Sequence, residues 1–189
     1  MNRRSPSWRR TSIGSTLALA ACALPVCAQA PVASVVVVRA AAIIDGTGAT
    51  RTNTDVVIRA GRIVELRTAR GKADIDLGTR VLVPGLIDTH VHMGWYINEK
   101  QRLHRADDGD SEQTATLNVA GNAQRMLQAG FTTVQSVGGM EDKAVRDAIN
   151  RGVIAGPRVL TSLGSLSETA GAPDSVRAVV RGFHARGAD

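Results

Sequence analysis

Two histidines separated by one residue, His90 and His92, are the pair in this 189-residue chain whose type and spacing point most directly to chemistry. In a β-strand, residues i and i+2 project from the same face about 7 Å apart, so two imidazoles can converge on one cation with metal–nitrogen bonds of ~2.0–2.1 Å. Val91 then faces the opposite side, toward packed helices. Asp88 shares the parity of the histidines, and is expected to accept from an imidazole and so fix which ring nitrogen is left for metal. Two histidines in a strand are by themselves ordinary. Position strengthens the reading, because they close an apolar run from Val81 to Ile87 that Pro84-Gly85 interrupts, at the strand end where α/β enzymes place their sites. Trp95 and Tyr96, just beyond, are candidate pocket walls and could equally pack beneath their loop. His104 is a candidate substrate contact in the following loop, where a plain surface histidine is the simpler reading. His184, near the end of an expected helix, reads as a solvated helix-end residue.

The elements that must position these residues follow from periodicity. Residues 34–80 are β-rich: Val35 to Val38 and Ala41 to Ile44 read as short strands, with Asp45-Gly46-Thr47-Gly48 as a turn. Asp55 to Ile58 and Ile63 to Leu66 form a hairpin across Ala60-Gly61, and Asp74 to Leu77 alternates with period two. After residue 80 the pattern changes to βα units. A strand near 82–90, buried on both faces, precedes a helix over about 112–129 that carries Ala115, Leu117, Ala120, Met126 and Leu127 and stops at Gly130. Strands at 131–137 and 157–161 follow, with helices over 141–150 and 173–186. The class is α/β with a parallel sheet.

Composition narrows the function. The chain is 43% hydrophobic with two Trp, one Tyr and two Phe, so its core must come from aliphatic side chains. Its net charge of +6 suggests a nucleic-acid partner until Arg3, Arg4, Arg9 and Arg10 are set aside, when it falls to +2 and that reading loses its electrostatic basis. Those arginines, the uncharged run Ile13 to Val26 and the small residues around Ala28-Gln29-Ala30 read as a secretory signal over residues 1–30. The run is too short to span a bilayer stably. Export to the periplasm or medium is therefore expected, the alternative being a lipoprotein anchored at Cys22. Both cysteines, Cys22 and Cys27, fall in this segment, so a mature chain has no disulfide.

The string Val83-Pro84-Gly85-Leu86-Ile87-Asp88-Thr89-His90-Val91-His92 resembles the first-strand motif of the amidohydrolase superfamily of metal-dependent hydrolases. Ile44-Asp45-Gly46-Thr47-Gly48, Ala60-Gly61-Arg62-Ile63, Gly130-Phe131-Thr132-Thr133-Val134, and Asp147 to Gly152 through Gly156-Pro157-Arg158-Val159 look like its imidazolonepropionase-like and Xaa-Pro dipeptidase-like branch. The resemblance implies a small urease-composite-like β-sandwich module over residues 31–80. Residues 81–189 would then be the first three βα units of a (β/α)8 TIM-like barrel, incomplete in this chain. It implies that His90 and His92 bind one or two divalent metals, commonly zinc. The remaining ligands (a carboxylated lysine, two histidines and an aspartate that also carries the proton) would lie beyond residue 189, so no catalytic residue can be named within the chain.

The activity implied is hydrolysis of an amide-like, non-peptide C–N bond of a small molecule by metal-activated water. A deaminase, lactonase or dipeptidase of the same superfamily, or a non-catalytic truncated product, are the alternatives. Gln135-Ser136 stands where dipeptidase-like members tend to carry Arg-Asp, which argues against peptide cleavage. Residues 1–189 alone are expected to bind metal weakly and to lack turnover.

Overall fold

The computed structural model describes residues 34–166 and 171–189, so the expected secretory segment over residues 1–30, with Cys22, lies outside the described residues. Among the described residues no helix is long and apolar enough to cross a membrane.

The chain begins with β1 (Val35–Arg39), β2 (Ala42–Ile44), β3 (Thr50–Thr52), β4 (Thr54–Arg59), β5 (Arg62–Thr68), β6 (Ile75–Asp76) and β7 (Val81–Leu82). They form two sheets, ordered β5-β4-β1-β6 and β3-β2-β7. The β4–β5 hairpin turns at Ala60 (φ 49°) and Gly61 (φ 73°), where two successive positive φ values match the right-handed twist of the strands. Strand β3 is polar and exposed throughout, which is why no apolar pattern announced it.

The expected strand over 82–90 is divided. Val81–Leu82 pairs with β2 in the β module, Val83 to Gly85 connect, and β8 (Leu86–Val91) starts the second layer. Proline lacks the amide donor a central strand needs, so Pro84 marks the division. The expectation of burial on both faces also fails: Leu86 and Ile87 are 50% and 67% exposed, because among the described residues β8 is an edge strand paired with β9 alone.

From β8 onward strands and helices alternate: α1 (Glu112–Gln128), β9 (Phe131–Ser136), α2 (Met140–Asn150), β10 (Arg158–Thr161) and α3 (Pro173–Ala185). Both β8–β9 and β9–β10 pair in parallel, giving the order β10-β9-β8. These are the expected βα units, and among the described residues the sheet does not close. Ser111 starts α1 by accepting the Thr114 amide on its hydroxyl at 3.1 Å, and Gly130 (φ 95°) lets the chain leave it.

Alternation along the strands sorts side chains to two faces. Val134 and Val159 point toward the helices and pack with Met93, Val119, Ala123 and Val145, flanked by Val91, Met126, Phe131 and Ile149. Leu117, expected on the packed face of α1, is 72% exposed. Two residues correspond to about 200° of helix rotation, so a face centred on Val119 and Ala123 turns Leu117 outward.

One ion pair anchors the β module. Asp55 is completely buried, and Arg39 grips it through Nε at 2.7 Å and Nη2 at 3.1 Å, while the Arg70 amide donates to the same carboxylate at 3.3 Å. The Arg39 guanidinium holds the Asp55 pKa below the ordinary carboxylate range against the opposing effect of burial. A carboxyl whose folded pKa is depressed stabilises the fold above its unfolded pKa of about 3.9, and that stability is lost as pH falls through the folded pKa. Asp55→Ala should therefore lower the thermal midpoint at pH 7 and flatten its decline below about pH 4. Thermal unfolding followed by circular dichroism across pH 2–7 checks this; a variant with an unchanged midpoint and an unchanged acid limb would contradict it.

Candidate metal centre

β8 delivers His90 and His92 to the C-terminal edge of the parallel sheet, with Val91 turned to the helix-side core as the alternation requires. His90 is exposed and His92 half-buried. Their ring centroids are 5.2 Å apart with planes inclined at 70°. Two imidazoles thus present themselves on one face of one strand end. They fit two nitrogen positions of a divalent-ion shell, and among the described residues no group of three or more His, Cys, Asp or Glu side chains converges.

His92 is the better oriented of the two. Its Nδ1 lies 3.0 Å from the Val137 carbonyl oxygen, which can only accept, so Nδ1 carries the proton and the Nε2 lone pair is free. Trp95 stacks on the ring at 4.1 Å with an interplanar angle of 8°. The role expected of Asp88 is therefore filled by a backbone carbonyl. Asp88 Oδ1 instead accepts the backbone amide of His90 at 3.0 Å, a local i to i+2 bond that the short side chain reaches more easily than a ring.

The turn after His92 is tied down from both sides. Asn122 on α1 donates through Nδ2 to the carbonyls of Met93 and Trp95, both at 2.9 Å, and Ser136 on β9 accepts the Met93 amide at 3.3 Å. Farther along, Asp108 organises the loop: it accepts from Asn98 Nδ2 at 2.7 Å, from Lys100 Nζ at 3.0 Å, from the Arg105 amide at 2.9 Å and from Arg102. Burial raises the Asp108 pKa, and these donors outweigh it, so the carboxyl titrates below its ordinary range.

This loop sets Tyr96 and His104 against each other, rings stacked at 4.6 Å. The Tyr96 hydroxyl donates to Asp110 Oδ2 at 2.7 Å; burial and that carboxylate push its pKa up to about 12, so it remains a neutral donor at physiological pH. His104 Nδ1 stands 3.0 Å from the same Asp110 oxygen.

A cavity of about 290 Å³ opens here, with His92, Trp95, Tyr96, His104, Val137 and Glu141 among its lining. The sequence-derived candidates thus meet: Trp95 is both wall and packing partner of His92, Tyr96 is buried behind the wall, and His104 faces the cavity. His90 lies beside it, and His184 is exposed on α3, remote in topology, as expected.

Sequence reasoning missed Asn122, Asp108 and Asp142. Asn122 stands one residue before Ala123 at the packed face of α1. Asp142 sits completely buried in the first turn of α2, where the Thr161 hydroxyl donates to it. A polar residue at a position where helical periodicity demands an apolar one was the available signal.

Known proteins resemble this chain in sequence and in fold. Ochratoxinase from Aspergillus niger is 35% identical over 100 residues, covering 50% of this chain and 19% of that protein. A solved Xaa-Pro dipeptidase with methionine bound in its active site superposes with a TM-score of 0.66 at 25% identity, over 82% of this chain and 46% of that one. The solved A. niger ochratoxinase gives a TM-score of 0.58 at 24% identity, over 82% and 45% of the respective chains, a likeness of fold. The chain thus spans about a fifth of the curated relative it matches and just under half of these solved structures. The amidohydrolase family profile matches residues 81–188, from β7 to the end of the third βα unit. That match takes in more than half of the sequence and includes the histidine pair, and the chain accordingly belongs to the amidohydrolase family.

Proposed function

We propose that the protein is a divalent-metal-dependent hydrolase that cleaves an amide-like, non-peptide C–N bond in a small molecule, with zinc the expected metal. The observation that carries this reading is the orientation of His92, whose Nδ1 is committed to the Val137 carbonyl while Nε2 is left free beside His90 at the mouth of a small cavity. A divalent ion supplies two things at such a site, polarisation of a carbonyl oxygen and a water that is nucleophilic near neutral pH.

The chain's own residues do the rest of what can be derived. His90 and His92 hold two coordination positions at one strand end. Trp95 stacked on His92 limits rotation of its ring and walls one side of the cavity. Tyr96, held protonated by burial and Asp110, keeps that wall uncharged. A cavity of about 290 Å³ suits a small molecule better than an extended peptide.

Support for a non-peptide substrate comes from β9. Ser136 is turned to the helix side, where it binds the Met93 amide, so no group from that position reaches the cavity. Gln135 projects to the opposite face, that of His90, and as a neutral amide gives no charge to pair with the free carboxylate of a dipeptide. The relative named Xaa-Pro dipeptidase keeps the peptide reading as the one to be tested against. A polypeptide that supplies the remaining metal ligands to this chain, loaded with Zn²⁺, should hydrolyse N-acyl aryl amides or cyclic amides at least tenfold faster, by kcat/KM, than Xaa-Pro dipeptides. Dipeptides turned over at an equal or greater rate would overturn the substrate class.

A further inference from the structure

Glu141 lines the cavity from the first turn of α2, half-buried, and among the described residues its carboxylate takes part in neither a hydrogen bond nor an ion pair. The side chain does not carry its acid group away to solvent. A methyl group at Gly139, itself part of the cavity lining, would stand 2.4 Å from Glu141 Oε2 and 3.5 Å from Cδ, so the carboxylate lies against the cavity wall. Gly139 has φ −101°, a conformation any residue adopts, so what glycine supplies there is room for that carboxylate.

The charges nearby are already engaged. Lys143 reaches Asp147 at 2.8 Å, Lys100 and Arg102 both pair with Asp108, and Asp110 accepts the Tyr96 hydroxyl at 2.7 Å. Among the described residues the cavity lining holds no Lys or Arg. A carboxylate partly withdrawn from water, with no cation of its own chain beside it, gains most from a cation that arrives with a ligand. The α2 dipole also favours an acid in this turn, a contribution to stability that says nothing about ligands.

The aromatic lining suits the same guest. Trp95 stacks one face on His92 at 4.1 Å and is still 59% exposed, which leaves its other face open. The face of an indole carries the negative part of its quadrupole and attracts a cation held close to it.

We propose that Glu141 is a specificity-determining residue that receives a cationic group of the substrate, an ammonium or amidinium, with Trp95 as the aromatic surface of the same cavity. The proposal rests on the reading of this cavity as the substrate site and narrows its substrate class to amide-like compounds that carry a positive charge.

The test is binding of benzylammonium, benzyl alcohol and benzoate to the metal-free 189-residue chain, followed by the indole ¹H–¹⁵N signal of Trp95 and assigned with Trp95→Phe. Wild type should bind benzylammonium about tenfold more tightly than the alcohol or benzoate. Glu141→Gln should bring benzylammonium and the alcohol to within about twofold of each other. Gly139→Ala, whose methyl displaces the carboxylate without removing its charge, should lose most of the preference. The urea midpoint of each variant is measured alongside. If Glu141 serves only helix stability, Glu141→Gln will lower that midpoint and keep the tenfold preference, which would overturn the proposal. Wild-type binding of the alcohol or benzoate as tight as that of benzylammonium would overturn it too, as would a Trp95 signal that does not respond to benzylammonium. Because no metal is present, these outcomes are separate from the fate of the metal-dependent reading, which the amide and dipeptide rates decide.

Discussion

In a polypeptide that supplies the remaining metal ligands, replacing both His90 and His92 with alanine should abolish metal-dependent hydrolysis and leave the fold intact. Among the described residues the two rings are the imidazoles that meet at this strand end, and they are the ligands proposed for the metal. Metal polarisation of a carbonyl contributes several kcal/mol to a hydrolytic transition state, and each 1.36 kcal/mol is a factor of ten, so kcat/KM should fall by about 10³ or more. Stability should fall by about 1–2 kcal/mol, because His90 is exposed while the His92 change removes its bond to the Val137 carbonyl and its stack on Trp95. The paired measurements are kcat/KM on an amide that wild type hydrolyses and the urea midpoint. A double variant that retains more than a tenth of wild-type turnover would place the reaction elsewhere.

Met93→Ala should have the largest effect on stability of any single change considered. Met93 is completely buried among Val119, Ala123, Val134, Val145 and Val159, in the turn that follows β8. Truncating a buried methionine leaves a cavity that costs about 2–5 kcal/mol, a large share of the 5–15 kcal/mol by which domains are stable. Met93→Leu nearly conserves volume and should cost less than about 1.5 kcal/mol. Equilibrium urea unfolding separates the two. A loss below about 0.5 kcal/mol for Met93→Ala would mean that α1 and α2 do not pack over Met93 as described.

The βα units were legible because their punctuation is chemical. Gly130 ends α1 at a positive φ, the apolar runs at 131 and 158 are strand-length, and the switch from period two to helical spacing near residue 81 separates the two layers. The histidine pair was legible for the same reason, since strand parity alone puts His90 and His92 on one face. What orients them was not. The Val137 carbonyl carries no residue-type signal, and the bond from Asp88 to the His90 amide is a local competition that parity does not reveal. The polar strand Thr50–Thr52 has no apolar pattern to read. Asp108 looks like a surface acid in sequence, and becomes a hub only when its loop brings donors to it.

The central claim is that His90 and His92 together hold a divalent ion through their imidazole nitrogens. X-ray absorption at the zinc edge of Zn²⁺-loaded protein tests it most directly. Nitrogen scatterers at about 2.0–2.1 Å with the outer-shell pattern of imidazole should appear in wild type, and that pattern should be lost in the His90→Ala, His92→Ala variant. An imidazole signal that survives the double substitution unchanged would contradict the account.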